Sequence, residues 1–154
     1  MAKFSFDKRT VKARLQAGSD KEVLRQMATL LYQAGYVEDS FIDAIIQRED
    51  IFPTGLPIES YGVAIPHTDP HHVNKPMIAV ATLEKPVNFS VMGNPEEKTE
   101  VGIVFMLAMK NSSSQLQLLS NLMNVIQDTM LLKKIYKTRN EKELLEILNH
   151  VVTF

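Results

Sequence analysis

The stretch YGVAIPHTDPHH, residues 61–72, holds three of the chain's four histidines, set between prolines just after an apolar run. The chain contains no cysteine, so disulfide frameworks, thiolate nucleophiles and Cys-based zinc sites are excluded. Any nucleophile must be His, Ser, Thr, Lys or a carboxylate. His67, His71 and His72 with Asp69 resemble a metal-ligand set. A helical H-x-x-x-H pair would place two imidazoles on one face. Pro66 and Pro70 prevent that, because each removes a backbone N–H and pushes the preceding residue out of helical geometry. The segment is expected to be an extended turn. His71, His72 and, further on, His150 read as solvent-exposed side chains without a role. His67 differs, because it follows GVAIP and is presented at a strand end by a rigid neighbour, a common position for functional residues in sheet proteins.

A neutral imidazole is a nucleophile near pH 7. It can take a phosphoryl group on one ring nitrogen while the other donates the hydrogen bond that fixes the tautomer. The resulting anion needs N–H donors and positive charge. A helix beginning at Ser112 offers free backbone N–H groups and the positive end of the helix dipole, with the hydroxyls of Ser112, Ser113 and Ser114 beside them. Arg48, near the end of an earlier helix, could add charge-assisted hydrogen bonds. Taken singly, NSSSQ also reads as an ordinary helix cap and Arg48 as a solvated charge.

The elements that must position these groups follow from pattern. Residues 10–15, TVKARL, alternate as a strand. Ser19 and Glu22 form a capping box, Val23, Met27, Leu30, Leu31 and Ala34 follow at helical spacing, and Gly35 supplies the stop. Asp39 is expected to cap a second helix that carries Ile42, Ala44, Ile45 and Ile46 and ends around residues 48–50, before Pro53. Residues 77–83 read as a buried strand and 87–89 as a short one. MGNPEEKTE reads as an exposed turn region. Residues 101–109, VGIVFMLAM, read as a central strand apolar on both faces. Three helices close the chain. The first has Leu116, Leu119, Leu122, Met123 and Ile126 on one face, the second is capped by Asp128, and the third opens at Asn140 and Glu143 and carries Leu144, Ile147, Leu148 and Val151. One strand, two helices, several strands and three helices predict a mixed α/β sheet covered by helices on both faces, in one domain over residues 1–154.

Composition narrows the function classes. The 154 residues are 45 % hydrophobic and 23 % charged, with a net charge of −1 and no repeat or linker-like segment. No basic stripe suggests nucleic acid. The first residues are too polar for a signal peptide, and the longest apolar run falls far short of the ~20 residues that span a bilayer, so a soluble cytoplasmic protein is expected.

GVAIPH, residues 62–67, resembles the active-site signature of the IIA components of the bacterial phosphoenolpyruvate-dependent sugar phosphotransferase system, in the fructose–mannitol superfamily. IIQRED upstream and EVGIVFMLAMKNSSSQLQLLSNLMNVIQD downstream extend the resemblance to nearly the whole chain, and FPTGLP is most similar to the galactitol-type branch. The resemblance implies a mannitol-type α/β fold and a phosphohistidine relay with no cofactor and no metal. Phospho-HPr would donate and His67 would accept on Nε2. A cysteine of a IIB component would receive the group next, during sugar uptake through the membrane component IIC. Arg48 matches the position that supports the phosphate. Gln115 stands where mannitol-type members carry a second histidine, and could hydrogen-bond phosphate or only close its capping box. Val63, Ile65 and Val73 are candidates for the partner interface, with core packing as the alternative use of Val63 and Ile65. Three other readings stay open: a regulatory, nitrogen-related IIA, a metal-dependent hydrolase using His67, His71 and His72, and a binding domain without catalysis.

Overall fold

A computed structural model of the chain describes residues 5–58, 61–110 and 116–151. The first strand, β1 (Val11–Leu15), leads into α1 (Asp20–Gln33) and α2 (Ser40–Ile51). Short strands β2 (Gly55–Leu56) and β3 (Gly62–Ala64) precede the long strands β4 (Met77–Val91) and β5 (Asn94–Ala108). Three helices follow: α3 (Leu116–Ile126), α4 (Thr129–Tyr136) and α5 (Glu141–Val151).

The β-branched and aromatic runs of β4 and β5 pair antiparallel, with Ile78 opposite Leu107 and Val80 opposite Phe105. β1 joins β4 in parallel, Val11 against Val80, and β3 joins β5 in parallel, Ala64 against Val104. β2 pairs antiparallel with β3 and also touches the far end of β4, Gly55 against Val91. The sheet is therefore mixed, as expected. Its two faces carry separate cores. Val104, Met106 and Ala108 pack with Leu24, Leu31, Phe41 and Ile45 of α1 and α2. Ile103, Phe105 and Leu107 pack with Leu122, Ile135 and Leu148 from α3, α4 and α5. A strand buried on both faces has to be a near-continuous apolar run, and residues 101–108 are that run apart from Gly102.

Four sequence expectations change. Residues 77–83 and 87–89 are not two strands but one, interrupted by a register shift between Thr82 and Val87 where Glu84, Lys85 and Pro86 are exposed. A bulge is where a sheet tolerates proline. The turn expected over MGNPEEKTE shrinks to Met92 and Gly93, Gly93 having φ +80°, and β5 begins at Asn94. On α3 the buried residues are Leu118, Leu122, Val125 and Ile126, while Leu116 is exposed.

The helix ends follow their capping chemistry. Ser19 Oγ accepts from the Glu22 N–H at 3.2 Å, and the Glu22 carboxylate accepts from the Gly18 N–H at 2.6 Å. Gly35, at φ +87°, lets the Gly35 and Tyr36 N–H groups turn back to the Tyr32 and Leu31 carbonyls. Asp128 and Asn140 cap α4 and α5 through the N–H groups of Leu131 and Glu143. Asp39 precedes α2 but its side chain makes no capping bond.

Candidate phosphoryl-transfer site

His67 is set by the way β3 leaves the sheet. Gly62 enters β3 so close to β5 that a Cβ there would run into the Glu100 carbonyl, so only glycine fits. Val63 and Ala64 are fully buried, and Ile65 and Pro66 are buried after them. Pro66 has no N–H to give, but its carbonyl accepts from the Leu107 N–H at 2.9 Å, and His67 bridges Leu107 in parallel register. The half-buried ring is then fixed by its own strand, with Nδ1 lying 3.0 Å from the Ile65 carbonyl oxygen. A carbonyl only accepts, so Nδ1 carries the proton and Nε2 keeps its lone pair.

The following segment is tied to the α1–α2 connection. Residues Pro70–His72 form one 3-10 turn, the Glu38 N–H donates to the His72 carbonyl at 2.8 Å, and Val37 bridges Val73. His72 Nδ1 lies 2.7 Å from Ser40 Oγ, and the His71 ring sits over the His72 ring at 3.9 Å between centroids. Burial, aided by neighbouring His71, pushes the His72 imidazole below its ordinary value. His72 is thus a docking side chain for this turn, whereas the sequence reading made it a spectator; His71 is exposed as expected. His67 and His72 engage different partners, and among the described residues no three His, Asp or Glu side chains are grouped to hold a metal ion.

Arg48 comes to this segment from the last turn of α2. Its Nη1 lies 3.9 Å from Asp69 Oδ1 and its guanidinium stands 4.5 Å above the Phe52 ring. Its Nε is buried with no hydrogen-bond partner among the described residues. Asp69, two residues after His67, was singled out in the sequence only as a metal ligand; here it is the carboxylate that faces Arg48. Next to Arg48, Glu49 is buried, and its two carboxylate oxygens accept from the Thr54 N–H at 2.8 Å and the Thr54 hydroxyl at 2.9 Å. Burial pushes that carboxyl up to about 7, against the two Thr54 hydrogen bonds. Nothing local in the sequence points to this role beyond the adjacency in QRED. Val63, Ile65 and Val73 are 0 %, 8 % and 3 % exposed, so all three pack in the core and leave little surface for the partner contact expected of them. Ser112, Ser113, Ser114 and Gln115 lie outside the described residues.

The mixed sheet between two helical layers thus carries His67 with its Nδ1 on the Ile65 carbonyl, and Arg48 facing Asp69 two residues further on. Residues 4–151 fit the family model of the phosphoenolpyruvate-dependent sugar phosphotransferase system, EIIA 2. The chain belongs to this family. This EIIA chain is 31 % identical over 106 residues to the galactitol-specific EIIA component of Escherichia coli (strain K12), covering 69 % of this chain and 70 % of that one. It is 30 % identical over 131 residues to the transcriptional regulator ManR of Bacillus subtilis (strain 168), covering 84 % of this chain but 19 % of the regulator, so it spans about a fifth of that relative. Among solved structures, IIA mannitol from Escherichia coli superposes with a TM-score of 0.76 at 24 % identity, over 94 % of this chain and 99 % of that one. That likeness shows the mannitol-type fold. No described helix of this EIIA chain is long and apolar enough to cross a membrane.

Proposed function

We propose that the chain is a cytoplasmic phosphoryl relay of a sugar phosphotransferase system, with His67 as the acceptor. The observation that carries this reading is the Nδ1–H of His67 held on the Ile65 carbonyl at 3.0 Å, which leaves Nε2 as the attacking nitrogen. In the first step the Nε2 lone pair attacks the phosphorus of phospho-HPr. The new N–P bond forms as the donor's N–P bond breaks and its electron pair returns to the donor imidazole. In the second step a thiolate of a IIB component attacks the same phosphorus, an S–P bond forms, and the pair in the N–P bond returns to Nε2. The proton stays on His67 Nδ1, donated to the Ile65 carbonyl, throughout. Neither step needs covalent help from other side chains; both need in-line positioning and cancellation of charge on the phosphoryl oxygens. Arg48, whose Nε has no hydrogen-bond partner among the described residues and whose Nη1 lies 3.9 Å from Asp69, is the cation for that task. Gln115 and Ser112, Ser113 and Ser114 would add donors at the start of the helix that follows β5. The sequence likeness to a galactitol-specific EIIA component supports galactitol or a similar polyol as the sugar, taken up through a IIC component.

The test is intact mass after incubation with phosphoenolpyruvate, enzyme I and HPr. Wild type should gain one acid-labile, base-stable phosphoryl group, His67→Ala should gain none, and Arg48→Ala should gain it roughly a hundredfold more slowly. An unmodified, folded wild-type chain beside phosphorylated HPr would sink the relay. A second reading, a regulatory EIIA that signals by protein binding, is supported by the likeness to ManR over 84 % of the chain and to the nitrogen regulatory protein of Bradyrhizobium diazoefficiens over 87 %. Phosphorylation of His67 without transfer to any IIB component would favour it.

A further inference from the structure

The acceptor ring is held by the Ile65 carbonyl, and Ile65 is itself held through its N–H. The Ile65 N–H donates to the Thr54 carbonyl at 3.3 Å, and Thr54 is gripped at its N–H and its hydroxyl by the two oxygens of Glu49. The chain of contacts therefore runs from Glu49 to Thr54, from Thr54 to Ile65, and from Ile65 to Nδ1 of His67. Successive bonds in this chain lie on different peptide planes, so no single conjugated amide connects them. What passes along it is position.

Glu49 is an expensive choice for a merely structural clamp. It is 6 % exposed, which disfavours a charge. It also lies in the last turn of α2, where the helix dipole disfavours a negative one. Opposite it, Thr54 immediately precedes β2, and β2 pairs with β3, the strand that ends in the histidine segment. Glu49 also adjoins Arg48, so one turn of α2 carries both the cation proposed for the phosphate and the clamp.

On these contacts, and resting on the relay reading of His67, we infer that Glu49 is a positioning residue for phosphoryl transfer. Its bidentate grip on Thr54 fixes the strand segment whose Ile65 carbonyl selects the Nδ1–H tautomer and aims Nε2.

The experiment compares Glu49→Ala and Glu49→Gln with wild type by two readouts, the ring-nitrogen NMR shifts of His67 and the rate of transfer from phospho-HPr. Gln keeps an oxygen for the Thr54 N–H and offers its NH2 to the Thr54 hydroxyl, so it should retain the Nδ1–H tautomer and a rate within about twofold of wild type. Glu49→Ala should mix the two tautomers and slow transfer about tenfold or more, as small misplacements of a reacting atom do. A folded Glu49→Ala protein with wild-type ring shifts and wild-type rate overturns the inference, even if its melting temperature falls. If that variant does not fold, Thr54→Val, which removes only the hydroxyl contact, is read in the same way: altered tautomer and rate support the inference, and both unchanged overturn it. The ring shifts need no phosphoryl donor. Failure of HPr to phosphorylate wild type would therefore remove the relay reading while the tautomer result still stood.

Discussion

At the residue scale, the side chains that bear on the chemistry divide by how far their role shows in their neighbours along the chain. His67 and Arg48, the residues proposed for the relay, are picked out by position alone: the first stands between a proline and a polar turn at the end of an apolar run, and the second sits in a helix end ahead of that segment. Glu49 is not, because RED at a helix terminus reads as three solvated charges, and only the fold turns the middle one inward. For Val63, Ile65 and Val73 a local apolar pattern leaves both a partner interface and core packing open, because it does not say which face of the chain is covered. Glu49 also carries a pH dependence with a definite sign. Its folded value of about 7 lies above the ordinary 4.5, raised by burial and by Asp20 on α1 and Asp50 on α2, of which Asp50 is paired with Lys21. The folded chain thus holds this proton more tightly than the unfolded chain. The stability it contributes is complete below pH 4.5 and is lost as pH rises through 7. At about 1.4 kcal/mol per pH unit over that window, the loss is roughly 3 kcal/mol. Urea unfolding at pH 4.5 and pH 8 should show wild type losing stability relative to Glu49→Gln; equal pH slopes for the two proteins would contradict the assignment.

At the element scale, type was easier to read than extent. All five helices and the first strand were visible in apolar spacing, with capping residues marking the starts of α1, α4 and α5. The unity of β4 was hidden by Glu84, Lys85 and Pro86, three exposed residues of low strand preference that the long hairpin carries through a bulge. The first seven residues of β5 were hidden in the same way, since Asn94 to Glu100 is polar and mostly exposed and is held extended by its pairing with β4. α3 shows the limit of periodicity. Leu116, Leu119, Leu122, Met123 and Ile126 make one acceptable stripe, and Leu118, Leu122, Val125 and Ile126 make another. The sheet beneath selects the second. Leu118 is 2 % exposed and Leu116 is 66 % exposed. Leu118→Ala should therefore cost about 2–5 kcal/mol and Leu116→Ala less than about 0.5 kcal/mol in chemical denaturation. Equal costs would mean that the helix is rotated from the position described.

At the scale of the whole molecule, the architecture was legible because order alone nearly dictates it: a sheet whose central strand is apolar on both faces requires two helical layers, and the chain has helices before and after to supply them. The pairing order was not legible. It depends on which distant strands meet, and nothing local encodes that. This pairing has a kinetic consequence. β4 and β5 are joined by two residues and can zip as they meet, whereas Val11 must find Val80 and Ala64 must find Val104 across long stretches of chain. Contacts between neighbours in sequence form fast and distant parallel ones slowly. The long hairpin should therefore gain amide protection first in pulsed hydrogen exchange during refolding, with β1 and β3 following; simultaneous protection of all four strands would refute this order. Since His67 hangs from the end of β3 and is stitched to Leu107, the proposed acceptor is set only when assembly is nearly finished. A half-folded chain would then have its hairpin but no aimed imidazole, and phosphorylation would select for molecules that have completed their fold.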